Sequence, residues 1–195
     1  MKATLILATN NKHKAEEIRS VTGEQFDILT LNEAGIAIDI PEPHNTIEAN
    51  ASEKSRTIYR LTGKNCFGDD TGLEVHALNG RPGVKSARYA GEQKSFDANM
   101  DKLLAELEGV ENRGAHFKTV ISLMWNGEEH LFEGITKGKI IHEKRGRHGF
   151  GYDPVFIPEG SEKTFGEMEL TEKNIYSHRR KATDKLIEFL KAANP

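Results

Sequence analysis

The stretch "ATLILATNNKHKAEEIRSV", residues 3–21, changes its periodicity midway. Ala3 to Ala8 form a short aliphatic and β-branched run, the pattern of a strand buried on both faces. From Thr9 the sequence turns polar and then takes up helical spacing. A buried strand that passes through a polar loop into a helix opens an α/β fold, and the rest of the chain is consistent with that beginning.

A second strand is expected over Phe26 to Leu31. The proline-containing "DIPEPHNT" (39–46) then breaks the chain before a helix from about Thr46 to Leu61, which Asn45 or Thr46 is able to cap. "KNCFGDD" (64–70) and "GLEVHAL" (72–78) read as two short strands joined through a turn at Thr71-Gly72, with a loop at "NGRPG" (79–83). Ser95 to Glu108 places Phe96, Met100, Leu103, Leu104 and Leu107 on one helical stripe, which predicts a helix that buries all five. "AHFKTVISLMW" (115–125) and "EHLFEGITKGKII" (129–141) flank Asn126-Gly127, the strongest hairpin signal in the chain. "SHRRKATDKLIEFLKAA" (177–193) closes with a helix on Ala182, Leu186, Phe189 and Leu190. Alternating strands and helices, then a long hairpin, then a helix predict an α/β fold with a mixed sheet. One domain covering 1–195 is expected, with two closely joined lobes, one of about 1–115 plus the C-terminal helix and one of the hairpin.

Composition narrows the function. With 195 residues, 36% hydrophobic and 29% charged, the chain has ample material for a core without staples. A net charge of −3 gives no general attraction to nucleic acid or an anionic membrane, so any phosphate binding must be local. The aromatics Phe117, Trp125 and Phe132 lie in the hairpin strands, where packing is the default rather than base stacking. The single cysteine, Cys66, excludes an internal disulfide and a multi-cysteine metal site, and reads as a buried thiol in a reducing compartment. The Ala3 to Ala8 run is shorter than a signal-peptide core, and no segment approaches the ~20 apolar residues of a membrane span, so a cytoplasmic protein is expected.

Several segments carry candidate chemistry. In "ATNNKHK" a strand gives way to a helix start, where free backbone N–H groups and the helix dipole favour a phosphate. Lys14 shares a stripe with Ile18 and Val21, and Lys54 one with Ile47, Ala51, Ile58 and Leu61, so two ammonium groups point inward. Each needs an anion, which a shared polyphosphate or structural ion pairs would provide. Asn capping of the loop and a snorkelling Lys14 are the plainer alternative.

Asp69 and Asp70 stand side by side in "CFGDDTG" (66–72). At ~5 Å and an effective dielectric of ~20 their repulsion is roughly 3 kcal/mol, which a divalent cation would remove. Mg²⁺ suits a hard oxygen site where phosphates supply the other ligands, and Glu42 is a candidate further carboxylate; a solvated loop pair is the alternative. "GRHGFGYDPVF" (146–156) is either a loop that brings Phe150 or Tyr152 onto a planar ring or a tight turn with an aromatic plug. Lys173, His178 and Arg179 in "EKNIYSHRRKA" are donors suited to a carbonyl oxygen on a base, or members of a charged helix face.

Taken together, "LATNNKHK", "TIEANASEK", "GDDTGLEV", "GRPGVKSARYAG", "GFGYDPVF" and "TFGEMELTEKNIYSHRRKA" resemble the inosine/xanthosine triphosphate pyrophosphatases, also called Ham1-like proteins, over nearly the full chain. The departures are small: Gly68 and Thr71 replace the usual Ala and Ser, Ala49 a frequent Glu, and Tyr176 a common Ile. The resemblance implies an elongated two-lobed α/β fold, with helices flanking a central twisted mixed sheet, a cleft between the lobes, and a homodimer. It also implies Mg²⁺-dependent hydrolysis of ITP, dITP and XTP to the monophosphate and pyrophosphate. By motif position Asp70 would be the proton acceptor and a metal ligand, with Glu42 near the metal and Asp69 in support. Thr9, Asn10, Asn11, Lys12, His13, Lys14 and Lys54 would hold the triphosphate, and Thr71 would touch substrate. Phe150, Gly151, Tyr152 and Asp153, with Lys173, His178 and Arg179, would form the nucleoside pocket.

Overall fold

The structure, a computed structural model, describes residues 3–193. The first strand and helix fall where the sequence places them: β1 is Ala3–Leu7 and α1 is Lys12–Thr22, capped by Asn11, whose side chain accepts from the Lys14 amide at 3.3 Å. β2 (Phe26–Thr30) lies parallel to β1, with Ala3 opposite Phe26 and Leu7 opposite Thr30. α2 (Ile47–Thr62) starts at Thr46, which accepts from the Ala49 amide at 3.2 Å, and ends at Gly63 in the left-handed conformation.

The expected turn at Thr71-Gly72 is absent. β3 runs unbroken from Cys66 to Val75 and continues beside β1, with Ile6 opposite Cys66. Thr and Gly read as a turn because local propensity omits tertiary context; here both lie within an interior strand of the sheet. A short β4 (Pro82–Gly83) adds to β3, and α3 (Phe96–Glu106) follows, capped by Ser95. Met100, Leu103 and Leu107 of its stripe are buried and Leu104 is partly so, but Phe96, in the first turn, is 41% exposed. The hairpin strands are β5 (Gly114–Trp125) and β6 (Glu128–Ile140), joined by Asn126 and Gly127 at φ of +50° and +91°, the positive values a two-residue hairpin turn demands. β7 (Phe156–Pro158) pairs antiparallel with β6, then come α4 (Leu170–Tyr176) and α5 (His178–Ala193). Among the described residues the sheet has seven strands, in the order β2-β1-β3-β5-β6-β7 with β4 on β3, and is mixed as expected.

The chain divides into two compact units, one built from residues up to Asp70, Thr119–Gly134 and the segment from Arg179 onward, the other from Thr71–Lys118 and Ile135–His178. Both hairpin strands contribute to both units, so the division differs from the hairpin lobe anticipated.

In the first unit the pleat sorts side chains by parity. Leu5, Leu7, Phe67, Ile121 and Leu123 pack with Ala15 and Ile18 of α1 and with Ala182, Leu186 and Leu190 of α5. Their neighbours Ile6, Ala8, Cys66 and Met124 pack instead with Ile58 of α2. Successive residues of a strand face opposite sides, so each strand here serves two cores. The second unit has one core, in which Leu73 and Val75 of β3 meet Leu103 and Leu107, with Phe117 edge-on to Phe156 at 4.7 Å.

Candidate functional site

The parity of β3 explains how two adjacent carboxylates are accommodated. Asp69 shares the side of Phe67, facing α1 and α5, whereas Asp70 shares the side of Cys66, facing α2. Each then meets its own cation. Lys14 of α1 lies 3.2 and 3.1 Å from the two oxygens of Asp69, and Arg179 at the start of α5 donates its Nε to Asp69 Oδ2 at 3.3 Å. The Arg179 guanidinium also donates to Glu17 of α1. On the opposite side, Lys54 Nζ stands 3.0 Å from Asp70 Oδ1 and 2.5 Å from Glu42 Oε1, and it donates to the Asp69 carbonyl at 3.0 Å.

Gly68 makes the second contact possible. A Cβ there would fall 2.6 Å from the Lys54 Cβ and 2.7 Å from the Ala51 carbonyl oxygen, so α2 lies directly against β3 and carries Lys54 onto Asp70.

The two aspartates titrate in opposite directions. Burial pushes Asp69 up, but Lys14, Arg179 and Lys54 together outweigh it and hold the carboxyl at about 2. For Asp70 burial is again the largest influence, and Glu42 adds to it; Lys54 and Lys14 do not fully offset them, so its pKa is raised. Burial disfavours the Lys54 ammonium, yet Asp70, Glu42 and Asp69 overcome this and raise its pKa, so it stays charged. Lys14 goes the other way, lowered chiefly by burial, with Lys54 and Arg179 opposing the pull of Asp69.

The loop before α1 is held by its own side chains. Thr9 Oγ1 accepts from the Asn11 amide at 3.1 Å and Asn10 Oδ1 from the Asn32 amide at 2.8 Å, while Lys12 and His13 are exposed. The Asn-capped loop and the structural ion pairs weighed from sequence are thus both present, and the cations relieve the aspartate repulsion that had suggested a metal ion. Among the described residues no group of three or more His, Cys, Asp or Glu side chains is arranged to hold a metal. What is present is a pair of carboxylates, Glu42 and Asp70, converging on one cation, the Lys54 ammonium. Two carboxylate oxygens around a cationic point fit the chemistry of a magnesium ion whose remaining ligands are phosphate and water.

In the second unit Asp153 Oδ2 accepts from the Phe150 amide at 2.9 Å and from Lys173 Nζ at 2.6 Å. A Cβ on Gly149, at φ +72°, would sit 2.0 Å from that oxygen, so the loop closes on Asp153 only with glycine there. Lys173 Nζ lies 5.3 Å from the ring centres of both Phe150 and Phe165. Tyr152 is buried and donates to the Ser86 carbonyl at 2.8 Å, and Gly151 takes φ +65°. His178 stacks on Phe117 at 4.6 Å, and Thr71 lies half-buried on β3. The structure brings Phe150 to Asp153 together with Lys173, while Arg179 belongs to the first unit with Asp69 and Glu17.

Glu17 was not anticipated from sequence. The available signal was its position three residues after Lys14, beside Ile18, which puts a carboxylate on the stripe that buries α1. Ser86 and Phe165 carried no comparable signal.

These features define an α/β protein with a mixed sheet and a buried, charge-paired site on an interior strand. A model of the Ham1 family matches residues 5–189. A dITP/XTP pyrophosphatase of Flavobacterium psychrophilum is 54% identical over 187 residues, 96% of this chain and 98% of its own. One of Porphyromonas gingivalis is 50% identical over 190 residues, 97% of this chain and 98% of its own. Among solved structures, the Ham1 protein of Staphylococcus aureus superposes with a TM-score of 0.89 at 38% identity, covering 98% of this chain and all of that one. The chain belongs to the Ham1 family.

Proposed function

We propose that this protein hydrolyses ITP, dITP and XTP, non-standard purine nucleoside triphosphates, to the monophosphate and pyrophosphate. The observation that carries the reading is Asp70, a buried carboxylate with a raised pKa beside Lys54 and Glu42, in a chain matched along almost its whole length by dITP/XTP pyrophosphatases.

A water oxygen attacks the α-phosphorus, the bond from that phosphorus to the α–β bridging oxygen breaks, and pyrophosphate leaves with the electron pair. Asp70 takes the proton of the attacking water, a role suited to a carboxylate whose proton affinity burial has increased. Asp69, kept ionised, holds Lys14 in place. Lys14, Lys54 and the Thr9 to Lys14 segment supply the positive groups and amides that hold the phosphates. Glu42 and Asp70 would hold Mg²⁺, which supplies charge neutralisation to the phosphates. Thr71 is assigned to substrate contact. Phe150, Gly151, Tyr152, Asp153, Lys173 and His178 are assigned to the nucleoside, and Arg179, which donates to Asp69 and Glu17, to holding Asp69. Donors directed at position 6 donate to the keto oxygen of hypoxanthine or xanthine, and the amino group of adenine leaves them unpaired, which rejects by several powers of ten. A homodimer in the cytoplasm completes the reading, supported by the family resemblance and by a lone, buried, unpaired thiol at Cys66. Among the described residues no helix is long and apolar enough to cross a membrane.

An assay of ITP, XTP, GTP and ATP at mildly alkaline pH, with and without magnesium, tests this. ITP and XTP are expected to yield pyrophosphate, and Asp70→Asn to lose about 10²-fold or more in kcat while remaining folded. Orthophosphate as the first product, or ITP bound tightly and recovered intact after long incubation, overturns the reaction.

A further inference from the structure

We propose that Lys54 is the internal counter-ion of the metal site, and that its ammonium must leave Glu42 and Asp70 before a divalent cation binds there. The proposal rests on the reading of those two carboxylates as metal ligands. Lys54 Nζ meets Glu42 Oε1 at 2.5 Å, Asp70 Oδ1 at 3.0 Å and the Asp69 carbonyl at 3.0 Å. An ammonium has three hydrogens, and these three acceptors match them. The point on which the carboxylates converge therefore already holds a positive charge, and a second cation at a buried point is repelled strongly.

Gly68 lets α2 pack directly against β3 at the level of Lys54, so withdrawing the helix as a whole would give up that packing. The four-carbon stem of the side chain is the part that moves. An incoming polyphosphate gives the ammonium a new anionic partner and so releases both carboxylates. Nucleotide and metal thereby strengthen each other's binding, and the coupling is reciprocal. Without nucleotide the chain binds divalent metal weakly, which protects the carboxylate pair from cations that arrive alone.

Mn²⁺ alone is the probe, titrated into the full chain without nucleotide and followed by electron paramagnetic resonance. Lys54→Met and Lys54→Gln are expected to bind Mn²⁺ about tenfold or more tightly than the unaltered protein, within the usual range of coupling between sites. Glu42→Gln added to either variant is expected to remove the gain. Lys54→Met removes the ammonium that both carboxylates share, so Lys54→Gln, which keeps a neutral polar amide, carries the test where circular dichroism shows the first variant unfolded. Equal affinity in the unaltered protein and Lys54→Gln, together with a loss on Glu42→Gln, overturns the counter-ion role and leaves the metal assignment standing. Mn²⁺ binding that is indifferent to both Glu42→Gln and Asp70→Asn overturns the metal assignment and the proposal with it.

Discussion

Asp69 and Arg179, 110 positions apart in the chain, are joined by a buried Nε to Oδ2 hydrogen bond of 3.3 Å, and the guanidinium continues to Glu17. One cation thus ties β3, α1 and α5 together in a place where neither side chain is more than marginally exposed.

Removing that cation takes a shared buried partner from Glu17 and Asp69, while Lys14 stays on Asp69. Arg179→Met is expected to lower the free energy of unfolding by about 3–5 kcal/mol, read from urea denaturation. Glu17→Gln in the same background is expected to add less than its effect alone, because the two share one interaction. Simple additivity would show that the three groups do not act as a unit.

Acid stability follows from Asp69. Its carboxyl titrates at about 2 in the folded chain against an ordinary 3.8, so the fold favours the ionised form. That contribution is fully present above about pH 4 and is lost as pH falls through about 2, amounting to about 2 kcal/mol for this group. Urea midpoints measured from pH 5 down to pH 2 are expected to fall more steeply for the unaltered protein than for Asp69→Asn. Parallel curves would remove Asp69 from the acid transition.

Gly68→Val tests the contact of α2 with β3. The added carbons meet the Lys54 Cβ and the Ala51 carbonyl, and overpacking of this kind costs about 1–3 kcal/mol. Because α2 must retreat with Lys54 on it, pyrophosphate release from ITP is expected to fall with stability. An unchanged rate at an unchanged urea midpoint would show that the close approach is not needed.

Cys66 gives a probe of opening. Burial pushes its thiol up to about 12, and the Sγ donates to the Ser55 carbonyl at 3.2 Å. A thiol reagent at pH 8 is expected to leave the folded protein unmodified and to react fully in denaturant. Rapid reaction under native conditions would mean that β3 and α2 separate readily.

The elements most legible in the sequence were those whose signals are local. Asn126-Gly127 declared its hairpin because both residues tolerate positive φ, and α3 declared itself through the spacing of Met100, Leu103 and Leu107. Thr71-Gly72 misled because a turn-forming pair is overruled inside an interior strand of a sheet, which is information about distant residues. Phe96 fits the apolar stripe by number, but it occupies the first turn of α3, where the stripe runs off the core. For the site, the inward direction of Lys14 and Lys54 was readable from helical spacing. That they would be met by Asp69, Asp70 and Glu42 was not, since the partners come from other elements.

Opposite placement of Asp69 and Asp70 on β3 sets a rule for how this chain can vary. An insertion or deletion of a single residue within Cys66 to Asp69 would carry each carboxylate to the wrong helix, stranding Lys14 and Arg179 opposite a different side chain. Loops such as the one from Asn32 to Asn45 are free of that parity constraint except at Glu42, so a change of length disturbs the site less there than in the strand.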